Sequence, residues 1–349
     1  MGWMAAAACL LAACASTPTP TAVIVTPPSA TPSAVTPSAP PPSETAPPTA
    51  APVAVGYLAE ADGALEAVVQ QAAQGYGWTY ERALEPSPEA LDRLIESGAD
   101  VIVLEAALGQ RALEIAPAHP QVYFIFISPV EAGPGAAAPA ADWPANVLFL
   151  GGPGSRLDQA GFLAGLAAGF ATATDRVAAV GEAVTPTGRS YRNGFQSGVR
   201  YSCPKCRIDF VDWPDSGNQA QILFAAGTDV FFHAVAGDEG QAAAAALASQ
   251  GAQVITPYRP AAAAELFLTS VYIDPAGMLQ AALAAYQAGQ PVSGQQPFSL
   301  AAGAITLAPY QDPDGRLSPL DRQDIEAVKQ RLADLSLETG VDPATGAER

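Results

Sequence analysis

Basic side chains are scarce in this chain and late to appear. Sixteen Lys and Arg stand against 34 Asp and Glu, and the first of them is Arg82. The resulting formal charge of −18 repels phosphate backbones, so nucleic acid is excluded as a partner. It also disfavours a domain lying flat on anionic lipid. There are two histidines, His119 and His233, far apart and without an HxxxH pair or an Asp-rich run beside them. The usual ligand sets of a catalytic metal are therefore missing. No Walker-type run and no GxGxxG opening a helix is found, and Gly152-Pro153-Gly154-Ser155 lacks the spacing of a nucleophile elbow. The apolar runs at the amino terminus and at 158–170 fall short of the ~20 residues that span a bilayer.

Cysteine is almost as rare. Cys9 and Cys14 lie in a short apolar run that opens at Met4 and closes on Leu11-Ala12-Ala13-Cys14, and Cys203 and Cys206 form one CxxC. Small residues before a cysteine at the end of such a run fit a lipoprotein signal, in which the Cys14 thiol takes a diacylglycerol and the peptide is cut before it. A plain secretory signal or a misplaced start codon are the alternatives, since the basic n-region is missing. From Ala15 to about Pro52 the chain is low-complexity Thr/Pro/Ser/Ala. It cannot bury enough apolar area to offset ordering, so it reads as an extended tether of at most on the order of 100 Å. The CxxC has three readings. Zinc would need two further ligands, and a redox pair would sit near the chain start after a strand. The preferred third reading is a structural disulfide in an oxidising compartment, contributing about 2 kcal/mol by closing a small loop.

What the chain has in quantity is apolar residue, at 49%, much of it alanine, with only 14% charged. From Val53 onward short apolar runs alternate with helical periods. Val53–Leu58, Val101–Leu104, Val122–Ile127, Val147–Leu150, Val177–Val180, Ile208–Val211, Val230–Phe232 and Gln253–Ile255 read as buried strands. Ala64–Gln74, Pro88–Glu96, Asp158–Phe170, Asn218–Ala226 and Gln241–Ser249 read as the helices between them. Such alternation implies parallel sheets covered on both faces, and eight strands imply two α/β lobes sharing a hinge. Within Asp158–Phe170 the residues Phe162, Leu163, Leu166 and Phe170 form a wide apolar face, and Gly161, Gly165 and Gly169 recur beside it. Each glycine costs about 1 kcal/mol relative to alanine in a helix interior. Three in register predict a backbone held close against a neighbour.

Ligands of open parallel sheets bind beyond the carboxyl ends of strands. The residues found there mix aromatics, acids and few bases, as suits a pocket that stacks and hydrogen-bonds a polar small molecule. The ligand-binding candidates are Trp213, Asp212, Tyr258, Asp238, Glu105, Glu60 and Arg189. Ser128, Glu182, Tyr191 and Arg259 also follow strands. No catalytic residue, metal ligand or cofactor is assigned. His233 ends an apolar strand and reads as a hydrogen-bonded core imidazole or, alternatively, as a ligand contact. Trp213 reads as a stacking platform or as a half-buried shield at the mouth of the second lobe.

The middle of the chain resembles a known family. Gly161-Phe162-Leu163-Ala164-Gly165-Leu166-Ala167-Ala168 is followed by Thr172-Ala173-Thr174-Asp175-Arg176-Val177-Ala178-Ala179-Val180-Gly181. Next come Asn193-Gly194-Phe195-Gln196-Ser197-Gly198 and the strand with its glycine turn from Gly227 to Gly237. Together with Leu268-Thr269-Ser270-Val271, these are similar to the basic membrane protein family of ABC-transporter substrate-binding lipoproteins. The resemblance implies a type I periplasmic-binding-protein fold, with two Rossmann-like lobes, three hinge crossings and a ligand in the cleft. It further implies binding of nucleosides and delivery to a membrane permease driven by a cytoplasmic ATPase. The departures bear on the ligand. The family's first-strand "SFN"-type motif is replaced by Ala59-Glu60-Ala61-Asp62, its aspartate after the third strand by Ser128, its "D-x-D" by Tyr258-Arg259-Pro260, and its lysine after "TSV" by Ile273. The aromatic after the Ile208 strand is kept as Trp213.

The expected map is a signal peptide at 1–14 ending on Cys14, a tether at 15–52, a bilobed domain at 53–310, and a C-terminal helix and tail at 311–349. Lobe 1 takes about 53–149 plus a returning segment of about 261–300. Lobe 2 takes about 150–258 plus the C-terminal segment. The expected function is that of an extracytoplasmic, lipid-anchored binding protein, not an enzyme, which captures a nucleoside-like ring-bearing solute for an ABC permease. The rivals are a ligand sensor for a membrane receptor and an extracytoplasmic nucleoside-processing enzyme.

Overall fold

Continuously apolar strands have no face to offer water, and those of this chain are covered on both sides. The computed structural model describes residues 52–59, 65–105, 108–128, 143–182, 184–213, 218–260 and 264–349, without the side chain of Glu105. The run closing on Cys14, the proline-rich tract up to residue 51, and Glu60 lie outside these residues. The described elements all belong to one compact unit, 51–349.

In chain order the elements are β1 (Ala54–Leu58), α1 (Glu66–Tyr76), β2 (Thr79–Ala83), α2 (Pro88–Glu96), β3 (Val101–Glu105), α3 (Gly109–Ile115), β4 (Tyr123–Ile127) and β5 (Val147–Leu150). Then follow α4 (Leu157–Ala171), β6 (Arg176–Gly181), α5 (Pro186–Ser202), β7 (Arg207–Asp212), α6 (Gln219–Ala225), β8 (Val230–Ala234), α7 (Gly237–Ser249) and β9 (Gln253–Thr256). The last are β10 (Thr269–Ile273), α8 (Ala276–Gln287), β11 (Gly294–Gln296), β12 (Ile305–Leu307) and α9 (Pro319–Ala333). They build two six-stranded sheets. The first, of lobe 1, has the order β11-β5-β4-β3-β1-β2 and is parallel throughout. The second, of lobe 2, has the order β12-β10-β9-β8-β6-β7, with only the edge strand β12 antiparallel.

Alternate side chains of each strand feed the layers on either face of a sheet. In β8, Phe231 enters the cluster with Val211 and Val254, while Phe232 enters the opposite cluster with Phe195 and Leu166. α4 is buried along nearly its whole length, Asp158 and Gln159 included, so it has no exposed stripe. The polar pair is satisfied. Gln159 receives the Leu300 N–H at 3.0 Å and donates to the Leu332 carbonyl at 3.0 Å, while Asp158 accepts from Arg156 at 2.9 Å and from Thr339. Against α4 lies α5, backbone to backbone. A Cβ at Gly161 or Gly165 would overlap the carbonyl oxygens of Tyr191 or Phe195, and one at Gly198 that of Phe162. The glycine register is thus a contact surface, and α5 answers it with glycines of its own.

The chain passes between the sheets three times: through 151–156 after β5, at Asp274–Pro275 after β10, and through 297–304 after β11. β10 stays in the second sheet, bonded to β9 and β12, so the return to lobe 1 begins after Ile273 rather than at residue 261. The crossings are stitched together. Gly151 N–H donates to the Gln296 carbonyl at 2.8 Å, Arg156 N–H to that of Phe298 at 2.7 Å, and Asp274 N–H to that of Ala304 at 2.8 Å. Phe298 is buried between them, and Gly151, at φ 94°, leaves the room its ring needs. α9 opens on a Ser318/Asp321 capping box and sets Ile325, Val328 and Leu332 into the lobe 2 core. Among the described residues no helix is long and apolar enough to cross a membrane.

Candidate functional site

β5, β10 and β11 enter the crossings from their carboxyl ends. All other strands but β12 run parallel to these, so the carboxyl edges of both sheets turn toward the hinge and hence toward one another. The lobe 1 edge ends in Ala59 after β1 and in Ser128 after β4, both buried. Glu105 closes β3 on the same edge, while Glu60 lies outside the described residues.

The lobe 2 edge carries most of the chemistry. Trp213 directly follows β7, and its backbone N–H donates to the Gly181 carbonyl at 3.2 Å, which fixes the main chain at the sheet end. The ring is half-buried against the cluster of Val211, Phe231 and Val254 and meets the His233 imidazole edge-on, with centroids 6.0 Å apart. His233 is 1% exposed. Burial pushes its imidazole down to about 4, so it is neutral at neutral pH, and its Nδ1 has no partner among the described residues. Asp212 is exposed and paired with Arg192 at 2.9 Å, whose guanidinium also lies 4.1 Å from the Phe210 ring centroid. A small cavity beneath the first turn of α5 is lined by Val180, Gly181, Gly188, Arg192, Val211 and Ala234. That turn is capped by Thr185, which accepts the Gly188 N–H at 3.0 Å.

Two of the residues picked from the sequence are occupied otherwise or turned outward. Arg189 donates to the carbonyls of Val184 at 2.8 Å and Thr345 at 3.2 Å, because the C-terminal tail folds back over α5. Asn193 holds the Gly346 carbonyl in the same strap. Asp238 is exposed in the first turn of α7, where a carboxylate complements the helix dipole. Tyr258 follows β9 and is half-buried; burial pushes its hydroxyl up to about 12, and its Oη has no partner among the described residues. The Arg259 guanidinium beside it lies over Tyr272, its Cζ 5.7 Å from the ring centroid. The β6–β8 end of this edge thus brings Asp212, Trp213 and His233 together with Arg192, while Arg259 and Tyr272 lie farther along it at β9 and β10; the sequence alone singles out neither Arg192 nor Tyr272. Arg192 could have been found from its place one turn beyond Arg189. Nothing in the composition marks the strap.

At the opposite edge, Cys203 and Cys206 are joined in a disulfide just before β7. With Asp175 they form a cluster of potential ligand atoms, but the sulfurs are bonded to each other and Asp175 pairs with Lys205 at 2.9 Å. The group therefore offers no thiolates to a metal.

A family model described as ABC transporter substrate-binding protein, PnrA-like, matches residues 64–327. None of the curated proteins matches. Among solved structures, an ABC transporter system solute-binding protein from Conexibacter woesei is similar at a TM-score of 0.63 and 19% identity, over 84% of this chain and 99% of that one. A second, from Aeropyrum pernix, gives 0.58 and 18%, over 82% and 93%. A transcriptional activator of the comK gene from Bacillus halodurans gives 0.63 and 17%, over 81% and 98%. The shared fold is that of type I periplasmic-binding proteins.

Proposed function

The chain belongs to the PnrA-like family of ABC-transporter substrate-binding proteins, and on that premise we propose that its cleft captures a small polar solute bearing a planar ring, of the nucleoside kind, for delivery to an ABC permease. The observation that carries this reading is Trp213, half-buried at the carboxyl edge of lobe 2 beside a neutral, buried His233. It offers a ring surface for stacking, and among the described residues the imidazole next to it has no acid or base partner with which to drive a reaction. Binding is then the whole of the chemistry. A solute that touches both edges stabilises the closed arrangement of the lobes by its differential affinity for it. The three stitched crossings confine that motion to a hinge.

Substrate-binding proteins of ABC importers work outside the cytoplasm, and lipid attachment at Cys14 would hold this one at the membrane. Cys14→Ser should then move the protein into the soluble extracytoplasmic fraction. A variant that still pellets with membranes at high salt would overturn the anchor. For the ligand, a thermal-shift screen of the full chain against nucleosides, nucleobases, sugars and amino acids is the direct test. A binder present at 100 times its Kd adds about 2.7 kcal/mol. Nucleosides or related ring compounds should raise Tm; a rise with amino acids alone would refute the ring assignment.

A further inference from the structure

Among the described residues, every Lys and Arg except Arg93, Arg189, Arg259 and Arg331 has a carboxylate oxygen within 4.0 Å. Three of these four donate elsewhere: Arg93 to the Glu89 carbonyl, Arg189 to the carbonyls of Val184 and Thr345, and Arg331 to the Tyr201 hydroxyl. Arg259 alone donates to nothing among the described residues. In a chain with 34 acids for 16 bases, a guanidinium without an acid is the exception.

Its position is not arbitrary. Arg259 follows the end of β9, and the Tyr272 ring beneath it is the last residue but one of β10, next to the crossing at Asp274–Pro275. The guanidinium therefore stands on the carboxyl edge of the second sheet, beside the hinge. The Thr256 hydroxyl pins the turn that presents it, donating to the Tyr258 carbonyl at 2.9 Å while paired with the Ser270 hydroxyl at 2.8 Å. A cation over an aromatic face within about 6 Å is attracted to it, and this leaves its N–H groups unspent. Next to it, the buried Tyr258 Oη is a second polar atom without a partner.

Resting on the solute-binding reading above, we infer that the ring-bearing solute carries a carboxylate, received by Arg259 with the Tyr258 hydroxyl as a further donor. One guanidinium presents two parallel N–H groups that match a planar carboxylate. A phosphate dianion asks for more donors than one guanidinium and one hydroxyl supply.

Isothermal calorimetry of the full chain with three neutral and acidic pairs tests this: uracil and orotate, nicotinamide and nicotinate, benzamide and benzoate. The acidic member of at least one pair should bind at least tenfold more tightly than its neutral twin. Arg259→Gln should abolish that preference, Arg259→Lys should keep part of it, and Tyr258→Phe should weaken the acid several-fold. Arg259 is exposed, so an unchanged Tm is expected for Arg259→Gln and certifies its fold. If the neutral twins bind as tightly and Arg259→Gln changes neither, the carboxylate inference fails while solute binding stands. Arg259-dependent binding of adenosine 5′-monophosphate without any carboxylate binding overturns it as well. If none of the six binds, the inference fails, and the solute-binding reading falls with it only when the nucleoside screen is silent too.

Discussion

The two lobes cover sheets of equal strand number by different means. Aromatic contacts occur in both, Phe195 stacking on Phe232 at 5.5 Å in lobe 2, but in lobe 1 side chains make the contact between helices as well. Tyr123 stacks on Tyr286 at 5.4 Å, and Trp78 meets Tyr286 edge-on at 5.9 Å while its Nε1 donates to Gln287, which ties the link between α1 and β2 to α8. On the other face Phe126, Phe149 and Trp143 form a second stack, with Phe126 and Phe149 4.5 Å apart. In lobe 2 the central pair α4 and α5 meets through glycines, with main chain against main chain. Side chains can change rotamer to absorb an error in volume; a backbone cannot. The lobe that carries Trp213, His233 and Arg259 is therefore the one whose packing has least freedom to adjust.

That contrast is open to direct attack. Gly165→Ala sets a methyl onto the Phe195 carbonyl with nothing flexible to move, and should cost about 3 kcal/mol in urea unfolding. Its counterpart in lobe 1 is Gly75, in α1, where a Cβ meets nothing within 4 Å. Gly75→Ala should stabilise by about 0.5–1 kcal/mol through the unfolded chain. Equal effects of the two substitutions would dissolve the distinction.

The next effect is acid sensitivity, again in lobe 2. Folded His233 titrates at about 4, against about 6.5 in an unfolded chain. Between those values the unfolded state binds the extra proton, so stability falls as pH drops from about 6.5 to 4 and this loss is complete below that. The full loss is on the order of 3 kcal/mol. It should appear as a urea midpoint that declines with pH in the parent and declines less in His233→Phe. The same slope in both would place the acid sensitivity elsewhere.

The sequence was legible where burial is complete. All eight runs lie on strands, and those of the interior strands are apolar because a strand buried on both faces needs an unbroken apolar run; edge strand β7 is half-buried and keeps Asp209 in its run. Thr79–Ala83 escaped notice because an edge strand half open to water keeps polar residues such as Glu81 and Arg82. The three-residue strands β11 and β12 are too short to show a period. Trp213 was legible as a residue following a strand, and the glycines of α4 as a contact. The occupation of Arg189 was not, since it depends on a tail more than 150 residues away. Nor was Tyr272 under Arg259, a pairing made across two strands by the sheet itself.

The closing of two lobes on a ring-bearing solute is best tested by small-angle X-ray scattering of the full chain. It should be measured alone and with whichever nucleoside or paired compound raises Tm most. Closure predicts a smaller radius of gyration with the compound bound. Stacking is worth about 0.5–1.5 kcal/mol, so Trp213→Ala should need several-fold more of the compound to contract as far. An unchanged radius in a sample that calorimetry shows to be saturated would contradict closure.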